Sequence, residues 1–201
     1  MIKIIDYGLG NINAFVNSYK RLDVEVQSIT NLSNLKLSDK LILPGVGHFD
    51  SAMRKLGKEI DIELLNRLVL TDETPILGIC VGMQIMLDSS QEGALKGLGW
   101  FKAKVEKIPS HTISILPHMG WNKLLSVNNS KISVGYDFKE NELYYLHSYY
   151  CDVKPEYIIA TTNYGVNFPA IINKKNIFGI QGHPEKSHEG GVKLLNNFSK
   201  I

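Results

Sequence analysis

The sequence predicts an α/β fold: a central, mostly parallel sheet with flanking helices and a partly antiparallel C-terminal half. Three observations carry this. In the first half, short apolar runs alternate with stretches whose apolar residues recur at helical spacing, the order of βαβ units. Glycines stand where strands would give way to turns, at 8–10, 44–47 and 78–82. Beyond residue 140, short strand-like runs follow one another with only turn residues between them.

Taken in order, residues 2–6 read as a strand, Gly8, Leu9 and Gly10 as a turn, and Ile12, Phe15, Val16, Tyr19 and Leu22 as one helix face. The turn invites a dinucleotide reading. The third glycine of G-x-G-x-x-G falls on Asn13, however, and no acidic residue at the end of a second strand supports it. Val24, Val26 and Ile29 suggest that second strand, before a loop rich in Asn, Ser and Lys. Residues 40–43 form a third, running into PGVGHF. In open parallel sheets ligands bind at the strands' carboxyl ends, so this loop is either a site wall or a plain connector. Residues 50–70, with Ile60, Leu64, Leu65 and Leu68, predict a helical crossover. TPILGICVGMQIML, 74–87, begins as a strand buried on both faces and continues as a helix through Val81, Met83, Ile85 and Met86.

Residues 103–133 read as short strands and turns. LPHMGWN, 116–122, is expected to be a turn whose His and Trp pack and hydrogen-bond. LYYLHSYYC, 143–151, reads as one strand dense in aromatics. Strands at 158–162, 170–172 and 177–181, with turns at 163–165 and 173–176, precede a closing helix over 187–198 that carries Val192, Leu194, Leu195 and Phe198 on one side.

A chain of 201 residues fits one domain with a sizeable core. Its net charge of +2, with lysines scattered and no block of like charge, argues against a nucleic-acid partner. No apolar run reaches the roughly 18 residues of a membrane span. MIKIIDYG enters a strand pattern at once, without the apolar stretch and cleavage site of a signal peptide, so a cytoplasmic location is expected. Two cysteines, Cys80 and Cys151, are too few for a disulfide framework.

Cys80 sits where the 74–87 strand meets its helix, with Gly78 and Gly82 on either side. That arrangement suits a sharp elbow, which lifts one side chain above the sheet and sets it at a helix N-terminus, where backbone N–H groups favour a thiolate. GHPEKS, 182–187, follows directly on the strand at 177–181. If that strand joins the same sheet, His183 emerges at the same edge as Cys80, Pro184 sets the turn, and Glu185 holds the imidazole tautomer. The three would form a thiol triad. An oxyanion could be met by the Val81 N–H and by a second donor from the PGVG loop. Taken singly, Cys80 reads as a buried thiol and His183 as a surface turn residue. Taken together, with both glycines, they read as a nucleophile and its base.

At these residues the sequence resembles the class I (triad) glutamine amidotransferases. GICVGMQ matches the family's G-x-C-x-G-x-Q, and HPEKS its H-P-E turn. IDYGLGN, LPGVG, LPHMGWN, HSYY and HPEKS also occur in that order along essentially the whole chain. This set is similar to the branch whose glutaminase subunits serve the synthesis of imidazole glycerol phosphate in histidine biosynthesis. The resemblance implies a flavodoxin-like class I glutamine amidotransferase fold, a single domain over 1–201, with no metal and no cofactor. It also implies that Cys80 attacks the carboxamide of L-glutamine to form a thioester, with His183 as base and then acid and Glu185 as its orienter. Gln84 would contact the substrate, and Gly47, His147, Ser148 and Tyr149 would bind its amino and carboxylate groups, partly through backbone atoms. The PGVG loop resembles the family's oxyanion strand, with the Val46 N–H as a donor beside Val81, poorly oriented until a partner binds its ligand. The implied partner is a (β/α)8-barrel cyclase subunit in a heterodimer, received on Asn11, Met119, Trp121 and Lys186.

Two positions depart from the family pattern. Gly182 replaces a bulky aromatic, which would loosen the packing behind His183 or enlarge the space near it, and His48 replaces a small residue. A likeness in GLGNINAF and YKRL to a paralogous branch, which supplies ammonia for amidation of a surface-glycan sugar, leaves a second destination for the ammonia.

Overall fold

The structure is a computed structural model that describes residues 1–109 and 115–201. The part of the expected strand-and-turn region at 110–114 lies outside the described residues. β1 (Ile2–Ile5), α1 (Ile12–Arg21), β2 (Val26–Ile29) and β3 (Lys40–Leu43) follow the predicted order. Asn11 starts α1 by accepting the Ala14 N–H on Oδ1 at 3.2 Å, and Phe15 and Tyr19 form the buried face.

The crossover expected over 50–70 is two helices, α2 (Phe49–Glu59) and α3 (Ile62–Leu70). Ile60 becomes extended and turns into the core, and Asp61 Oδ1 accepts the Leu64 N–H at 3.0 Å to begin a new helix. An N-cap carboxylate thus interrupts a run whose apolar spacing looked continuous. β4 (Ile76–Ile79) leads into α4 (Val81–Gln84), only four residues long, and the chain turns at 85–86 into β5 (Leu87–Ser90). Ile85 and Met86 are fully buried in that turn. Their apolar character therefore does not distinguish it from the longer helix that was expected.

The second half comprises β6 (Phe101–Lys107), β7 (His118–Lys123), β8 (Leu125–Ser126), β9 (Glu142–His147), β10 (Tyr149–Asp152), β11 (Ile158–Tyr164), β12 (Val166–Lys174), β13 (Ile177–Ile180) and α5 (His188–Ser199). Two expectations change here. The aromatic strand at 143–151 breaks at Ser148: β9 pairs with β7, whereas β10 pairs with β6 in another sheet. The expected turn at 116–122 ends in strand β7, which pairs with β9 from His118↔His147 to Lys123↔Glu142, partners well separated in sequence.

The main sheet has eight strands in the order β2-β1-β3-β4-β13-β12-β11-β8. The first five run parallel and the last three antiparallel. Every residue of β4 and β13 is buried, as expected of strands covered on both faces. α1 packs on α5, with the Tyr19 hydroxyl donating to Leu195 O at 3.3 Å, and α2 touches α4. The β4–β13 register pairs Ile79 with Ile180, and the Cys80 N–H donates to Ile180 O at 2.8 Å, so the two strands end side by side. Among the described residues, no helix is long and apolar enough to cross a membrane, and no His, Cys, Asp and Glu side chains cluster as metal ligands.

Candidate active site

Cys80 leaves β4 with φ 54° and ψ −114°, a left-handed geometry that costs an ordinary L-residue about 1–3 kcal/mol and persists only where its surroundings impose it. Those surroundings are a close approach of two backbones. A Cβ on Gly82 would lie 1.9 Å from Leu43 O, and one on Gly45 2.3 Å from Gly82 N. A Cβ on Gly78 would lie 2.6 Å from Met86 Cε. The elbow's glycines thus supply room, while the strained dihedral belongs to the cysteine. Their contact seats the PGVG loop directly against the elbow.

The first glycine turn braces that loop from the other side. The Tyr7 hydroxyl donates to Pro44 O at 2.6 Å, and a Cβ on Gly10 (φ +96°) would come within 2.7 Å of Pro44 Cβ. Burial, and then the nearby Cys80 charge, push the Tyr7 phenol well above its ordinary pKa, so it remains a donor.

His183 follows β13 into a 3-10 turn, Pro184–Lys186. Its N–H donates to Tyr144 O at 2.8 Å, and its carbonyl accepts the Ser187 hydroxyl at 2.5 Å. Ser187 Oγ in turn accepts the Tyr144 N–H at 2.8 Å. Nδ1 of His183 lies 2.9 Å from Glu185 Oε1, both side chains being buried, which leaves Nε2 for the thiol. Burial disfavours the imidazolium, but the hydrogen bonds and charges of Cys80 and Glu185 outweigh it and carry the His183 pKa up to about 10. Gly182 leaves no void behind this histidine, because a Cβ there would already meet Leu143 Cβ at 3.0 Å and Tyr144 O at 3.1 Å. His48 serves its own helix as the N-cap of α2, with Nδ1 accepting the Asp50 N–H at 3.2 Å.

Cys80 and His183 open onto a cavity of about 350 Å³ whose lining also includes Val46, Gly47, Val81, Gln84, Glu92, Pro117, Leu146, His147, Ser148, Tyr149 and Lys186. Glu185 lies outside this lining, bonded to His183. Val81 opens α4, so its N–H has no intrahelical acceptor. Gly47, at φ +88°, has the left-handed backbone that favours glycine. Gln84 lines the cavity and donates through Nε2 to Tyr149 O at 2.9 Å and to Gln181 Oε1 at 3.1 Å, so both amide hydrogens are spent within the protein and its Oε1 is left to accept. The His147 imidazole is almost wholly buried and bonds Tyr149 O through Nδ1 at 2.8 Å.

Around the mouth, Met119 and Trp121 are 66% and 53% exposed on the outer face of β7, paired across the ribbon with Leu146 and Tyr144. Lys186 Nζ stands 5.7 Å over the Tyr144 ring. Asn11 is exposed, with its side chain turned to cap α1.

Several contributors escaped the sequence reading. Glu92 lines the cavity while its Oε2 accepts the Phe49 N–H at 2.8 Å. Gln181 links Gln84 to Cys80, its Nε2 lying 3.8 Å from Cys80 Sγ. Tyr7 and His118 act through contacts far away in sequence. Gln181 had a local signal, as a polar residue closing an apolar strand, and His118 was expected to pack and hydrogen-bond, though not with which partners.

The family model for glutamine amidotransferase class-I matches residues 3–201. The chain is 46% identical over 205 residues to the imidazole glycerol phosphate synthase subunit HisH of Bdellovibrio bacteriovorus, covering 100% of both. It is 43% identical over 205 residues to the protein of the same name from Leptospira interrogans, again over 100% of each. A solved glutamine amidotransferase shares the fold, with a TM-score of 0.74 at 15% identity over 100% of this chain and 99% of that one.

Proposed function

The chain belongs to the class-I glutamine amidotransferase family, and on that footing we propose that it is the glutaminase subunit of an imidazole glycerol phosphate synthase. In this reading it releases ammonia from L-glutamine and passes it to a cyclase subunit in histidine biosynthesis. The observation that carries the chemistry is the meeting of Cys80 and the His183–Glu185 pair at one cavity wall, from the ends of neighbouring parallel strands.

Cys80 passes its proton to His183 Nε2 as Sγ attacks the carboxamide carbon, and the charge that develops on oxygen is met by the N–H groups of Val81 and Val46. His183, held by Glu185, gives its Nε2 proton to the departing nitrogen, so ammonia leaves and a thioester remains. Water then attacks with His183 as base, and the thiolate departs from glutamate. Gln84 Oε1 and the Glu92 carboxylate are acceptors for the substrate's ammonium group, and Gly47, Ser148 and Tyr149 shape the end that holds its carboxylate.

The exposed Met119 and Trp121, with Lys186 over the neighbouring Tyr144 ring, and the exposed Asn11 are the residues on which this reading seats a (β/α)8-barrel cyclase in a heterodimer. Large apolar side chains left exposed on neighbouring strands, as Met119, Trp121 and Leu146 are, suit an interaction site. The cytoplasm suits two free cysteines and a biosynthetic role.

Cys80→Ala should abolish partner-dependent ammonia release, and the intact gene should rescue a histidine auxotroph lacking this subunit. Partner-dependent turnover that survives Cys80→Ala would refute the chemistry. Failure to rescue, with glutaminase activity intact, would move the ammonia to the sugar-amidating branch.

A further inference from the structure

We infer that His118, on the strand that presents Met119 and Trp121, is a positioning residue for the glutamine pocket and acts through His147 and the Tyr149 carbonyl on Gln84. The inference deepens the function proposed above and rests on it. It begins from a hydrogen-bonded chain that has only one consistent direction. Tyr149 O is solely an acceptor, so His147 Nδ1, 2.8 Å away, carries a hydrogen. Burial holds His147 neutral, with its pKa lowered to about 3, which leaves Nε2 as a bare lone pair. His118 Nδ1 lies 3.1 Å from that lone pair and must donate to it. His118 is likewise kept neutral by burial, with its pKa lowered to about 4, so its Nε2 accepts from Asn122 Nδ2 at 3.3 Å. Asn122 Nδ2 sends another hydrogen to Asn163 O at 2.8 Å. Each group has one tautomer or rotamer that satisfies the whole chain.

The ring that carries the polarity is clamped as well as bonded. His118 is stacked on Tyr145, with centroids 4.6 Å apart and planes 19° apart, and on Tyr164 at 4.2 Å and 21°. At the pocket end, Tyr149 O accepts a second hydrogen bond, from Gln84 Nε2 at 2.9 Å. That carbonyl decides which end of the Gln84 amide faces the cavity, and His147 helps to hold it. At the other end the strand alternates, with His118 buried and Asn122 half-buried on the face opposite the exposed Met119 and Trp121. The rim and the substrate's acceptor are thus one residue and three hydrogen bonds apart.

His118→Phe keeps a ring for stacking but removes the donor to His147. His118→Gln restores a donor at that end. The probe is L-glutamine, titrated calorimetrically into the Cys80→Ala chain with its cyclase partner, so that hydrolysis does not intrude. Adding His118→Phe should weaken binding by roughly tenfold, the scale of one buried hydrogen bond, and His118→Gln should recover much of it. In a Gln84→Ala background, His118→Phe should add little, because the effect runs through that amide. If glutamine binds equally well with and without His118→Phe, or if its effect adds in full to that of Gln84→Ala, His118 has no positioning role and the glutaminase reading stands. If the Cys80→Ala chain with its native His118 binds no glutamine, both the functional reading and this inference fall.

Discussion

Replacing Gly82 by alanine tests whether the contact between the elbow and the PGVG loop orders the site. The new Cβ would lie 1.9 Å from Leu43 O, with Leu43 C and Pro44 C also within 2.9 and 3.1 Å. Restoring an ordinary contact of about 3.4 Å requires the end of β3 and the elbow to part by roughly 1.5 Å, and neither side is a flexible side chain. Overpacking of this kind costs about 1–3 kcal/mol. A displacement of about 1 Å at reacting groups costs on the order of a hundredfold in rate. Turnover of glutamine by the partner-bound enzyme should therefore fall about a hundredfold. Alkylation of Cys80 by iodoacetamide, which needs no oxyanion donor, should change far less. Urea unfolding would report the stability cost separately. Gly45→Ala, whose Cβ would meet Gly82 N at 2.3 Å, should have the same effect, and the double variant should be little worse than either single one. Wild-type turnover in Gly82→Ala would refute the argument that this approach positions the loop.

Three further outcomes follow from other contacts. The His183 pKa is raised above its ordinary 6.5 to about 10, so its protonation adds stability that is fully present below pH 6.5 and is lost as pH rises through about 10. Urea midpoints should fall across that window in the native protein, and more shallowly in His183→Gln. Tyr7→Phe leaves Pro44 O without its buried donor and should cost about 1–3 kcal/mol in unfolding free energy, with a lower kcat for glutamine. Trp121→Ala should weaken cyclase binding by at least about 2 kcal/mol, roughly thirtyfold, while leaving the thermal stability of the free subunit nearly unchanged, because the ring is 53% exposed.

The parallel half was legible because each element announces itself locally: IKII runs through Asp6 and Tyr7 into the turn at Gly8 and Gly10, ILGI runs into Cys80 and Gly82, and α1 shows its buried face at helical spacing. The antiparallel half was legible as strands but not as pairings. Nothing in LYYLHSYYC says that Ser148 divides two sheets, since that division is made by β7 and β6, whose partners are distant in sequence. Buried apolar residues also misled. Ile85 and Met86 fit a longer helix as well as they fit the turn they occupy, and Ile60 concealed the break that Asp61 makes. At the site, the cysteine, the histidine and its neighbouring glutamate carried motif-level signals. Tyr7 and His118 lie in motif segments but their roles were hidden, and Glu92 carried no signal, because what they do depends on Pro44, the cavity wall and His147, which only folding brings near.

The place of β13 in the sheet has a consequence for how the chain is made. This late strand lies in the middle of the sheet, between β4 and β12, and all four of its residues are buried. Until it is synthesised and inserted, β4 and β12 are two open, apolar edges, the kind of surface on which chains aggregate. The same insertion delivers His183 to Cys80. About a hundred residues are made between Cys80 and His183, so a nascent chain holds the proposed nucleophile well before its proposed base, and the step that closes the sheet is also the step that brings the two together.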